Sequence, residues 1–79
     1  MNASLVHPRE VFKAAILETA ASIILLHNHP SGEVKPSLED ESITQRMVEA
    51  GQLLNIPVLD HIIIGSRNFY SFREAGLIT

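Results

Sequence analysis

Strands and helices that alternate along the chain predict an α/β domain, with a mixed, partly parallel sheet flanked by helices. Three observations predict it. Two short apolar runs, residues 22–28 (SIILLHN) and 57–64 (PVLDHIII), have strand length and many β-branched residues. Two segments with apolar residues at helical spacing lie before and between them. A turn at residues 65–68, opened by Gly65, then sends the chain back through residues 69–72, which pair as a short antiparallel strand.

Each element has its own signal. Residues 2–6 fit a short strand. Pro8 suits the first turn of a helix, where its missing N–H costs nothing. Val11, Phe12, Ala15, Ile16 and Thr19 extend that helix over residues 8–21. The run 22–28 is a buried strand. His29, Pro30, Ser31 and Gly32 turn the chain into a loop over residues 30–36. Ser37 is an N-cap residue, and residues 38–54 form the second helix, with Ile43, Met47, Ala50 and Leu54 as its apolar stripe. Residues 57–64 and 69–72 complete the sheet, and residues 71–74 open a last helical turn ending at Gly76. The order is β-α-β-α-β-β.

Composition bounds the function. The 79 residues make one domain at most, of a size that buries only ~60% of its unfolded surface. With 46% hydrophobic residues the chain is globular, and that apolar share suits a surface that meets a partner. The net charge is −3, and the six basic residues (Arg9, Lys13, Lys35, Arg46, Arg67, Arg73) are scattered, without the stripe that tracks phosphates. Phe69, Tyr70 and Phe72 lack interleaved basic residues, so they read as core caps and not as base-stacking platforms, even with Arg67 and Arg73 beside them. Cysteine is absent, which excludes disulfides, cysteine-rich zinc sites, thiol nucleophiles and the P-C-x-x-C signature of nucleobase deaminases. No signal-like segment and no membrane-length apolar run is present, so a cytoplasmic setting is expected.

The chemistry-bearing stretch is HNHPSGEVKPSLED, residues 27–40. It sits at the carboxyl end of a strand, where α/β sheets gather their sites. His27 and His29 share a strand face, their Cα atoms ~6.6 Å apart. Pro30 keeps His29 extended. Imidazoles so placed can converge on an ion with Zn–N bonds of ~2.1 Å. Asp40 lies three residues before Ile43 and seven before Met47, on the apolar stripe, where a carboxylate is costly unless paired or metal-bound. Two histidines and one aspartate leave a tetrahedral ion one open position, the catalytic zinc pattern. Ser37 and Asp40 also make an S-x-x-D capping pattern, and on these residues alone the cap and the metal stay open as explanations of Asp40.

The spacing His27-x-His29-Pro30, six residues, then Ser37-x-x-Asp40 resembles the signature of the JAMM (MPN+/JAB) metallohydrolases, with no departure in spacing. The strings VHPREVF, HNHPSG, LDHIIIG and SFREAGLI resemble bacterial RadC proteins, historically called DNA repair proteins, over nearly the whole chain. The resemblance implies a cytidine-deaminase-like JAB/MPN fold. It implies one zinc ion on His27, His29 and Asp40, and Ser37 as the donor to a tetrahedral oxyanion. It implies hydrolysis of a peptide or isopeptide bond, hence a peptide or protein substrate. It also implies a general-base Glu on a strand upstream of the first helix. The first acid here is Glu10, inside that helix, so this base is expected to be missing and the domain to lack its upstream strands. Glu33 and Glu39 are the nearest acids, and a solvated face is the usual fate of such residues. The alternative function is a non-catalytic metal-binding or interaction module linked to DNA repair.

Three further expectations complete the reading. Asp60 and His61 lie on opposite faces of their strand. Either can orient a metal-bound histidine from behind, although the plainer reading has Asp60 held by backbone N–H groups and His61 packed in the core. His7 belongs at the start of the first helix and not among the ligands. An open sheet edge predicts a homodimer or larger oligomer.

Overall fold

The computed structural model describes residues 7–79, so the strand expected at residues 2–6 lies outside the described residues. The elements are α1 (Pro8–Leu17), β1 (Ile23–Asn28), α2 (Leu38–Leu54), β2 (Val58–Ile64) and β3 (Phe69–Ser71). They form an α/β arrangement with one mixed sheet of order β1-β2-β3. β1 and β2 run parallel, with His27 beside Ile63, and β2 and β3 run antiparallel, with Ile63 beside Tyr70. The long connection through α2 is what permits parallel pairing, and the short Gly65 turn is what permits the antiparallel one.

α1 ends four residues before the expected boundary. Thr19 takes a left-handed φ of 50°. The amides of Thr19 and Ala20 then donate to the carbonyls of Ile16 and Ala15, closing the helix in a Schellman pattern. Periodicity carried the expectation past Thr19, but the backbone there is a stop. α2 ends the same way on Asn55, φ 60°, with the Ile56 amide donating to the Gly51 carbonyl. Gly51 is needed there: a Cβ would stand 2.5 Å from the Ile56 carbonyl oxygen.

The core holds Phe12, Met47, Ile56, Val58, Ile63 and Phe72, with α2 against β2 and α1 against α2. The buried line of α2 is Asp40, Thr44, Met47 and Gly51. Ile43 and Ala50 flank it half-buried, while Leu54 is exposed. Phe72 and Tyr70 meet edge-on at the core, whereas Phe69 is 58% exposed and caps nothing. Phe69 shares its face with Ile64, its cross-strand partner. That face, opposite α2, also bears exposed Ile24 and Leu26 on β1. The last turn forms after Ser71, whose Oγ accepts from the Glu74 amide, and reaches Gly76 at φ 80°. No helix among the described residues is long and apolar enough to cross a membrane.

Candidate metal centre

His27 is the last inward-facing residue of β1, and His29 follows one step beyond the strand, its amide donating to the Ile64 carbonyl at 3.4 Å. Their rings lie on the same side, centroids 4.8 Å apart. Asp40 arrives from the first turn of α2 and is 8% exposed. One ligand atom from each of His27, His29 and Asp40 lies within 4.8 Å of the others, so the trio can hold a metal ion. No glutamate belongs to this group among the described residues.

The cap and the ligand turn out to be one device. Ser37 Oγ accepts from the Asp40 amide at 3.0 Å, and the Ser37 amide donates to Asp40 Oδ2 at 2.8 Å. This capping box fixes the carboxylate while leaving Oδ1 unbonded, 3.8 Å from His27 Nε2. Oδ2 lies 3.0 Å from His29 Nε2. Burial works to raise the Asp40 pKa, but the hydrogen bonds from Ser37 and the neighbouring imidazoles outweigh it and hold the pKa below the usual carboxylate value. Burial pushes the His27 pKa down, against the pull of Asp40.

The second nitrogens of both rings are already engaged. His29 Nδ1–H donates to the Glu33 carbonyl at 2.8 Å, since a carbonyl can only accept. A neutral His29 therefore turns a lone pair, not a hydrogen, toward the Asp40 carboxylate. Two acceptors 3.0 Å apart need a cation or a proton between them. The Nε2···O separations of 3.0 and 3.8 Å bracket the ~3.3 Å edge of a tetrahedron with ~2.0 Å metal bonds. By donor chemistry and spacing, the residues fit a small divalent ion.

Behind His27, His61 Nε2 lies 2.8 Å from His27 Nδ1. His61 is buried and stacks on Phe72, rings 4.6 Å apart and 5° from parallel. Burial pushes its pKa down to about 4. Its Nδ1 lies 2.6 Å from Thr44 Oγ1. Thr44 was not among the sequence candidates. Its signal was only its place, one helical turn after Asp40 on the same line of α2.

Asp60 behaves otherwise. Its carboxylate accepts from the Ser71 hydroxyl and from the His61 and Arg73 amides, and touches neither ligand histidine. It ties β2 to the turn after β3. Glu33 gives the site its main-chain carbonyl, while its side chain is exposed, as is Glu39. His7 sits at the N-cap of α1 and makes no side-chain capping bond.

A family model described as the RadC-like JAB domain matches residues 1–77. Among curated relatives, a UPF0758 protein of Bacillus cereus (strain B4264) is 60% identical over 78 residues, covering 99% of this chain and 35% of that protein. A UPF0758 protein of Symbiobacterium thermophilum is 57% identical over 79 residues, covering 100% of this chain and 34% of its own length. One from Methanosarcina barkeri is 56% identical over 78 residues, again covering 34% of its own length. The chain thus spans about a third of the curated relatives it matches.

Proposed function

Since this chain belongs to the RadC-like JAB domain family, we propose that it is the metal-holding part of a zinc-dependent JAMM-type hydrolase acting on peptide or isopeptide bonds. The observation that carries the reading is the convergence of His27 Nε2, His29 Nε2 and the Asp40 carboxylate at a strand's carboxyl end. Two neutral imidazoles and one carboxylate suit zinc better than magnesium or calcium, which prefer oxygen ligands. A zinc ion bound there supplies a Lewis acid and lowers the pKa of a water to ~7.

The chain's own residues do the positioning. Asp40 and His29 present their ligand atoms from a capping box and a carbonyl clamp, so little freedom is lost when the ion arrives. Ser37 Oγ accepts the Asp40 amide, which leaves its own proton free to donate to an oxyanion developing beside the ligands. Such a donor contributes on the order of 10²-fold in rate.

A second reading has its own observation. The ligand group holds no glutamate among the described residues. A group without a general base is a metal-binding module, with turnover about 10²- to 10⁴-fold below that of a site that has one. A role in DNA repair, a cytoplasmic setting and self-association through the open β1 edge belong to the same reading. Metal analysis of the full chain, purified without chelator, tests it: one zinc per chain supports it, and no stoichiometric zinc at neutral pH removes it. Hydrolysis of an isopeptide-linked substrate then separates enzyme from module.

A further inference from the structure

A ligand set does not decide which nitrogen of a histidine carries the proton. We infer that Thr44 and His61 are positioning residues that set the tautomer of His27. A one-way chain of hydrogen bonds runs from His27 through His61 and Thr44 to the Asp40 main-chain carbonyl. It keeps the proton on His27 Nδ1 and turns the Nε2 lone pair to the metal. The inference rests on the metal reading above, although the chain of bonds exists in the metal-free protein as well.

The direction is forced link by link. Thr44 Oγ1 is 2.7 Å from the Asp40 carbonyl oxygen, and a carbonyl only accepts, so the Thr44 hydroxyl donates there. A hydroxyl has one hydrogen. His61 Nδ1, 2.6 Å from the same oxygen, must therefore carry a hydrogen and donate to it. The His61 ring is buried to 3% exposure against Phe72 and bonds no carboxylate, conditions that keep it neutral. A neutral ring with its hydrogen on Nδ1 has a lone pair on Nε2. His27 Nδ1, 2.8 Å away, donates to that lone pair. His27 then shows a bare Nε2 to Asp40. Run in reverse, the same bonds would put a hydrogen on His27 Nε2, where the cation belongs.

The chain closes on itself. Asp40 offers its carboxylate to the site and its carbonyl to Thr44, so α2, β2 and β1 are joined around the candidate site through both ends of one residue. Thr44 is the link that distinguishes the two nitrogens of His61. Without its hydroxyl, His61 can carry its hydrogen on Nε2 instead and donate to His27, which moves the His27 proton to the wrong nitrogen. Thr44 thus acts on the ion without touching a ligand side chain. The acceptor behind His27 is also uncharged, so it orients the ring without adding negative charge to the site, unlike the carboxylates common at this place.

The test uses the ¹⁵N-labelled full chain, metal-free at neutral pH. Long-range ¹H–¹⁵N spectra report which nitrogen of each histidine holds the hydrogen. Wild type is expected to show Nδ1–H at both His27 and His61. Thr44→Val, matched in shape, is expected to shift His27 toward Nε2–H and to weaken zinc binding by about 10- to 100-fold in chelator competition. Thr44→Ser restores both readouts. His61→Gln, whose amide carbonyl can still accept from His27, holds affinity within a few-fold, whereas His61→Leu loses it. The serine and His61 variants carry the test if Thr44→Val does not fold. A wild-type His27 protonated on Nε2, or a Thr44→Val protein with native tautomer and native affinity, overturns the inference. A wild type that binds no zinc but keeps the Nδ1–H tautomer in a Thr44-dependent way sinks the metal reading and leaves the relay standing.

Discussion

His29 Nε2 stands 3.0 Å from Asp40 Oδ2 while the other nitrogen of the same ring is committed to the Glu33 carbonyl. Two acceptors so placed need a cation or a proton between them, and the Ser37 amide holds the carboxylate in that position.

Asp40→Asn separates the two duties of that residue. An asparagine oxygen can still accept the Ser37 amide, so the helix cap survives, and its NH₂ can donate to an imidazole lone pair. The expected outcome is loss of zinc binding with a melting temperature, measured with chelator present, above that of Asp40→Ala. Asp40→Ala loses the carboxylate side of the capping box too and is expected to cost about 0.5–2 kcal/mol. An asparagine variant that melts as low as the alanine variant would show that the charge, and not the cap, dominates.

Asp60 gives the fold an acid-sensitive latch. Burial raises its pKa, but the Ser71 hydroxyl, the Arg73 and His61 amides and the Arg73 charge outweigh it, leaving the pKa below its ordinary value. A carboxylate with a depressed folded pKa adds stability that is present above its unfolded pKa of ~3.9 and is lost as pH falls through the folded value. Urea denaturation of wild type and Asp60→Asn should therefore differ by about 1–2 kcal/mol at pH 7. The two should converge at the acid end. A gap that does not shrink on acidification contradicts the latch.

Two backbone positions make opposite predictions for similar changes. Thr19→Gly relieves a β-branched residue held at φ 50° and is expected to stabilise by about 0.5–1 kcal/mol. Gly51→Ala gains about 1 kcal/mol of helix propensity. It also drives a Cβ to 2.5 Å from the Ile56 carbonyl, a backbone atom that cannot step aside. The clash wins, and a lower melting temperature is expected. A stabilised Gly51→Ala protein would mean that the α2–β2 connection is slacker than its geometry.

Ile24, Leu26, Ile64 and Phe69 expose apolar area on the sheet face opposite α2. Among the described residues β1 is also an edge, paired only with β2. Light scattering at tens of micromolar, where weak association registers, should show a dimer or larger species. Leu26→Lys should reduce it, since charge on an edge strand blocks pairing. A clean monomer at that concentration contradicts self-association.

Much of this site was legible in the sequence because its parts are local. Ser37 and the bounds of α2 follow from a capping pattern and a helical period, and both match. His27, His29 and Asp40 follow from strand alternation and the apolar stripe. Thr44 was not legible, and for His61 two readings stayed open, because His27 and His61 meet across 34 residues through the β1–β2 register. Thr44 also read as an ordinary polar residue on a helix. The end of α1 was misjudged because periodicity has no sign for a left-handed threonine. Phe69 was misjudged because aromatic content says nothing of which sheet face is covered.

The central claim is that His27, His29 and Asp40 hold one zinc ion. X-ray absorption at the zinc edge, on the full chain loaded with one equivalent, tests it most directly. The expected spectrum has four nitrogen or oxygen neighbours at ~2.0–2.1 Å, with the outer-shell scattering of two imidazoles. That scattering should fall to one imidazole in His29→Ala. A shell without imidazole scattering, or one unchanged by His29→Ala, would place the ion elsewhere and contradict the account.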